Sequence, residues 1–84
     1  MKTISIYDYN ESMGQLIDVQ HPLDYAKKHD PRSINIYADR LLMNHQKYLN
    51  KLDTYYIICE KGRLSSRVVS TLSYYGYKVI RVQY

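Results

Sequence analysis

Residues 55–69 read YYIICEKGRLSSRVV, and the organisation of the chain turns on how this stretch divides. Its first part belongs to TYYIIC (54–59), short, β-branched, aromatic and almost wholly apolar. That pattern predicts a central strand covered on both faces, as in a parallel sheet. From Leu64 onward the apolar positions Leu64, Val68, Val69, Leu72 and Tyr75 recur at helical spacing, and Gly76 is placed to stop the helix. Between strand and helix lies CEKGRLS (59–65), which holds the chain's only cysteine.

Working outward, strand and helix patterns alternate. TISIY (3–7) and QLIDV (15–19) predict strands. Pro22 suits the first turn of a helix over PLDYAKKH (22–29), with Lys28 and His29 in a last turn that favours positive charge. DPRS breaks the chain, and INIY (34–37) predicts another short extended segment. Asp39 is a candidate cap for a helix reaching about Leu52, with Leu41, Leu42, Tyr48, Leu49 and Leu52 on one face. KVIRV (78–82) predicts a last strand. Helical crossovers between strands imply an α/β fold with an open, mainly parallel sheet flanked by helices. With 84 residues and no visible repeat or linker, a single domain over 1–84 is expected.

Composition narrows the function classes. The chain carries twelve Lys and Arg against eight Asp and Glu, a net charge of +4, which favours small anions or acidic partners. The basic residues are scattered rather than gathered on one element, so a nucleic-acid partner is not expected. One cysteine forms no internal disulfide, and no segment approaches membrane-spanning length. A cytoplasmic protein without membrane contact is the expectation. The chain has eleven Tyr, no Phe and no Trp. Each buried Tyr needs a hydroxyl partner, which places many of them at the edge of the core. His21, His29, His45 and Cys59 lack any zinc-ligand spacing, so no metal is expected.

The chemistry concentrates at residue 59. Ligands of open α/β sheets bind beyond the carboxyl ends of the strands, and Cys59 stands at such an end. Gly62 permits a tight loop whose N–H groups turn inward, and a helix starting near Leu64 adds free amides. Lys61, Arg63 and Arg67 outweigh Glu60 by two charges. Amides and cations of this kind favour thiolate, the nucleophilic form of cysteine. A lone strand cysteine is ordinarily a small buried hydrophobe; the glycine, the cations and the helix start are what distinguish this one.

CEKGRLS resembles the active-site loop of single-domain rhodaneses: cysteine, two variable residues, glycine, often arginine, then serine. Upstream, LIDVQHPLDYAKKHDPRSINI (16–36) is similar to the family's LIDVRxxxEYxxGHIPGAINI. Together the two stretches extend the resemblance over roughly residues 3–84, to a member shortened at the C-terminus. The resemblance implies a rhodanese-type sulfurtransferase without a cofactor. Cys59 would take sulfur from a thiosulfate-type donor as a persulfide and pass it to a thiol, cyanide or an acceptor protein. Glu60, Lys61, Gly62, Arg63, Leu64 and Ser65 would form the anion-binding loop, with Ser65 also helping to cap the helix. Asp18 and Arg67 would support it. A monomer or weak dimer is expected.

The chain departs from the family pattern at three places. Gln20 replaces arginine and Asp24 replaces glutamate, so any ion pair there becomes a shorter hydrogen bond, and Arg32 replaces a glycine. Two other functions share the cysteine-loop-helix plan. One is a phosphatase or arsenate reductase; a protein tyrosine phosphatase needs arginine six positions after cysteine to hold phosphate, and Ser65 stands there instead. A binding or redox-sensing module would keep Cys59 without turnover.

Overall fold

The computed structural model describes all residues, Met1–Tyr84. Five strands form one sheet in the order β1-β5-β4-β2-β3: β1 (Thr3–Ser5), β2 (Gln15–Asp18), β3 (Ser33–Asn35), β4 (Thr54–Ile58) and β5 (Lys78–Gln83). Every pairing is parallel, so each crossover needs a return segment. Four helices occur along the chain: α1 (Pro22–Lys27), α2 (Ala38–Met43), α3 (His45–Tyr48) and α4 (Arg63–Tyr74).

The alternation of side chains along β4 feeds two cores. On one face Ile57 and Cys59 pack with Ile17 and Val19 of the β2 segment, Val79 of β5, and Val68, Val69 and Leu72 of α4. On the other, Tyr56 and Ile58 pack with Leu16, Val82 and Tyr9. Burying a Leu, Ile or Val side chain contributes about 1.5–3 kcal/mol, so β4 is held from both faces directly before the cysteine that follows it. Tyr9 is buried and donates its hydroxyl to the Gly14 carbonyl at 2.6 Å. The buried Tyr77 places its hydroxyl 2.8 Å from His45 Nδ1. Two of the three buried tyrosines thus find a hydroxyl partner within the protein, while Tyr7 and Tyr74 stay in solvent.

Several local expectations are corrected. The first strand ends at Ser5, whose hydroxyl accepts the Tyr7 amide and starts a 3₁₀ turn over Ile6–Asp8. Helix α1 stops at Lys27, so Lys28 and His29 lie outside its last turn. His29 stacks on Tyr25 instead. The third strand covers Ser33–Asn35 rather than 34–37. The helix expected over 39–52 is two short ones divided at Asn44, whose φ of −130° leaves helical space. Its amide side chain bonds the Arg40 carbonyl, the local competition that makes Asn a poor helix-interior residue. Leu52 is consequently exposed. Asp39 caps nothing, because Tyr37 holds the cap position without a side-chain bond.

Candidate functional site

Connections leave β4 toward β5 on one side and β2 toward β3 on the other, given the strand order. The carboxyl ends of β4 and β2 therefore flank a topological switch point, where open α/β sheets leave a crevice. Cys59 follows the last residue of β4 directly and is 5% exposed. The β2 chain runs beside it, with the Val19 amide donating to the Ile58 carbonyl at 3.0 Å.

The loop folds back over the sulfur. Gly62 adopts a left-handed φ of +82° and is the cap residue of α4, with no side chain to offer the helix. Cys59 Sγ fills that role. It accepts the Gly62 amide and the Ser65 amide, each at 3.2 Å, and Ser65 is the third helical residue, whose N–H a cap side chain ordinarily satisfies. The Ser65 hydroxyl lies 3.3 Å from Sγ and donates to the Gly62 carbonyl at 3.2 Å. Two amides at a helix start thus converge on the sulfur. Of the loop amides expected to face the sulfur, these two do so, and Ser65 acts by its position inside the first turn rather than as the cap.

Two openings reach the cysteine. One, of about 340 Å³, lies on the β2 side and is lined by Gln20, Asp24, Cys59, Lys61, Arg63 and Leu64, with Glu60 at its rim. The other, of about 220 Å³, lies on the β5 side, where Lys61 and Gly62 meet Arg81, Gln83 and Tyr84. Glu60, Lys61 and Arg63 are exposed while Ser65 is fully buried. A larger hollow of about 430 Å³, between Tyr9, Gln15, Arg32 and Thr54, sits at the amino ends of the strands, away from the cysteine.

The supporting residues are rearranged. Asp18 is fully buried, and its two oxygens accept the Gln20 backbone amide and Gln20 Nε2, each at 2.9 Å. Burial pushes its carboxyl up from the ordinary value despite those bonds. Gln20 thus turns to Asp18, not to Asp24 as the family pattern leads one to expect, and Asp18 bears on the site only through it. Arg67 lines neither opening to Cys59: it is exposed and pairs with Asp39 of α2 at 3.0 Å. Arg32 makes a forked bond to Asp30 and donates to the Tyr9 carbonyl at 3.1 Å. The three histidines serve separate places: His21 accepts the Leu23 amide at the start of α1, His29 stacks on Tyr25, and His45 bonds Tyr77.

Sequence reasoning missed Arg81. Its signal was its parity with Val79, which places it on the cysteine-bearing face of the sheet; seeing its relevance required knowing that β5 lies next to β4.

The family model for the rhodanese-like domain matches residues 5–83, and the chain belongs to that family. It is similar to a rhodanese-related protein from Thermoplasma volcanium, with 27% identity, a TM-score of 0.83, and coverage of 99% of this chain and 84% of that one. A rhodanese-like domain protein from Staphylococcus aureus matches with 26% identity and a TM-score of 0.80, over 99% and 85% of the two chains. A rhodanese from E. coli solved with anions shares 29% identity at a TM-score of 0.70, over 81% of each chain. No curated protein sequence matches the chain.

Proposed function

We propose that the protein is a sulfurtransferase that carries sulfane sulfur on Cys59. The observation that carries this reading is the sulfur itself, seated at the end of the central strand with the Gly62 and Ser65 amides aimed at it. In the first step the Cys59 thiolate attacks the outer sulfur of thiosulfate. The sulfur–sulfur bond of the donor breaks and its electron pair leaves with sulfite, so Cys59 becomes a persulfide. In the second step an acceptor thiolate or cyanide attacks the terminal sulfur, and the pair in the persulfide bond returns to Cys59. No net redox change and no cofactor is required.

The same donors serve both steps, because the negative charge moves between Sγ and the terminal sulfur within one loop. Lys61 and Arg63, exposed at the rim, draw the anionic donor toward the loop. The similar E. coli rhodanese was solved with anions, in keeping with an anionic donor. The loop offers little to a phosphoryl group: Ser65 occupies the position a phosphatase gives to arginine, and Arg67 is engaged with Asp39. The test compares thiocyanate formation from thiosulfate and cyanide with hydrolysis of an aryl phosphate. Thiocyanate formation that disappears in Cys59→Ser is expected. Aryl phosphate hydrolysis lost in that variant, with no thiocyanate from either protein, would overturn the reading.

A further inference from the structure

The two openings to Cys59 differ in charge. On the β2 side Lys61 and Arg63 face Asp24 and Glu60, two cations against two carboxylates. On the β5 side the side chains of Lys61 and Arg81 face one acidic side chain, Glu60, with the last residue, Tyr84, also lining the opening. Arg81 is paired in register with Ile57 of β4, so it lies on the face and at the level from which Cys59 emerges two residues later.

Its guanidinium is positioned without an acid. Neither ion pair of the molecule includes Arg81. Its only side-chain partner is the neutral Gln83 Oε1, which accepts from Nη1 at 3.2 Å and from Nη2 at 3.4 Å. Nε is buried with no partner at all, a desolvation cost that stability alone does not explain. A guanidinium has two N–H donors on each terminal nitrogen, so one on each is left without a protein acceptor. Nη2 lies directly against Gly62, within 2.8 Å of where a Cβ would stand. The residue whose amide holds the sulfur therefore also leaves room for this cation.

We propose that the β5-side opening is the oxyanion end of the Cys59 site, and that Arg81 binds the sulfonate oxygens of a thiosulfonate-class donor, thiosulfate being the simplest. This rests on the sulfurtransferase reading and adds to it the residue that holds the donor's oxygens and the direction of the donor's approach. Planar paired donors match two oxygens of a sulfonate. Lys61 contributes charge from the rim. With the oxygens held on this side, the outer sulfur is free to point at Sγ, and sulfite departs by the same opening.

Sulfate serves as the probe, because it offers the oxygens without a transferable sulfur. Cys59 is alkylated with neutral iodoacetamide at constant ionic strength, with sulfate replacing chloride. Sulfate should protect Cys59 in the wild-type chain, and Arg81→Gln should need about tenfold more sulfate for equal protection, with Arg81→Lys between them. In turnover, the ratio of kcat/KM for thiosulfate to that for a neutral organic trisulfide should fall by about the same factor in Arg81→Gln. Equal protection in Arg81→Gln and wild type, or no protection in wild type, would overturn the assignment. Should Arg81→Gln not fold, arginine modification of the wild type by a dicarbonyl reagent decides: sulfate should shield Arg81 and leave exposed Arg40 reactive, and equal reactivity of Arg81 with and without sulfate would sink the proposal. Because protection requires no sulfur transfer, a chain that is protected yet never transfers sulfur would keep the oxyanion site and lose the sulfurtransferase reading.

Discussion

Gly62 combines three demands that only a residue without a side chain meets: a left-handed backbone, an amide aimed at Sγ, and contact with the Arg81 guanidinium. In Gly62→Ala the left-handed conformation costs about 1–2 kcal/mol, and the new methyl pushes the guanidinium aside. A loss of about 1 kcal/mol lowers the melting temperature of a domain this size by about 4–8 °C. Gly76 supplies the control, since its φ is +95° and a Cβ there meets only the end of Lys51 at 3.8 Å. Both alanine variants should therefore melt lower, but only Gly62→Ala should load sulfur from dilute thiosulfate more slowly, by about tenfold, the worth of one hydrogen bond to a charged group. Thermal melts with quantified persulfide formation check this, and equal loading by the two variants would contradict the role given to Gly62. At this scale Cys59, Gly62 and Ser65 were legible in sequence, because a strand end, a glycine and a helix start are local signals. The direction of Arg67 was not: its partner Asp39 is distant in sequence, and no spacing rule couples them.

Among the elements, the turn between α1 and β3 departs most from the family pattern. Arg32 stands where glycine is usual, and the turn is secured by its ion pair with Asp30 at 2.9 Å. The Arg32 side-chain hydrogen bond, ahead of other causes, holds the Asp30 carboxyl below its ordinary value of 3.8. A carboxyl lowered on folding adds stability above its unfolded value, and that stability is lost as pH falls through the folded one. Asp18, raised by burial, works in the opposite direction and is common to both proteins in the comparison. Asp30→Asn should accordingly be less stable than wild type in urea at about pH 7, and the gap should narrow as pH falls through and below the ordinary carboxyl value of 3.8. A gap that stays constant across that range would contradict the ion pair's contribution. β2, β4, β5 and α4 were readable because burial on one face imposes a period. The break at Asn44 was not, since Leu41, Leu42, Tyr48 and Leu49 keep an apolar pattern on both sides of it and only the local bond to the Arg40 carbonyl ends the helix.

Across the whole molecule, one choice of strand order sets the site. Placing β4 between β5 and β2 opens the sheet at Cys59 in two directions, one toward Gln20 and Asp24, the other toward Arg81. That order follows from which strands bury which faces over long separations, which is why the parallel α/β class was legible and the second opening was not. No helix is long and apolar enough to cross a membrane. The sheet beneath the loop fixes the two amides that converge on the Cys59 sulfur. The most direct measurement is the intact mass of the folded chain after treatment with thiosulfate and removal of excess donor. A gain of one sulfur atom is predicted, mapped to the peptide containing Cys59, absent in Cys59→Ser and discharged by cyanide as thiocyanate. An unchanged mass in protein that remains folded would contradict the account.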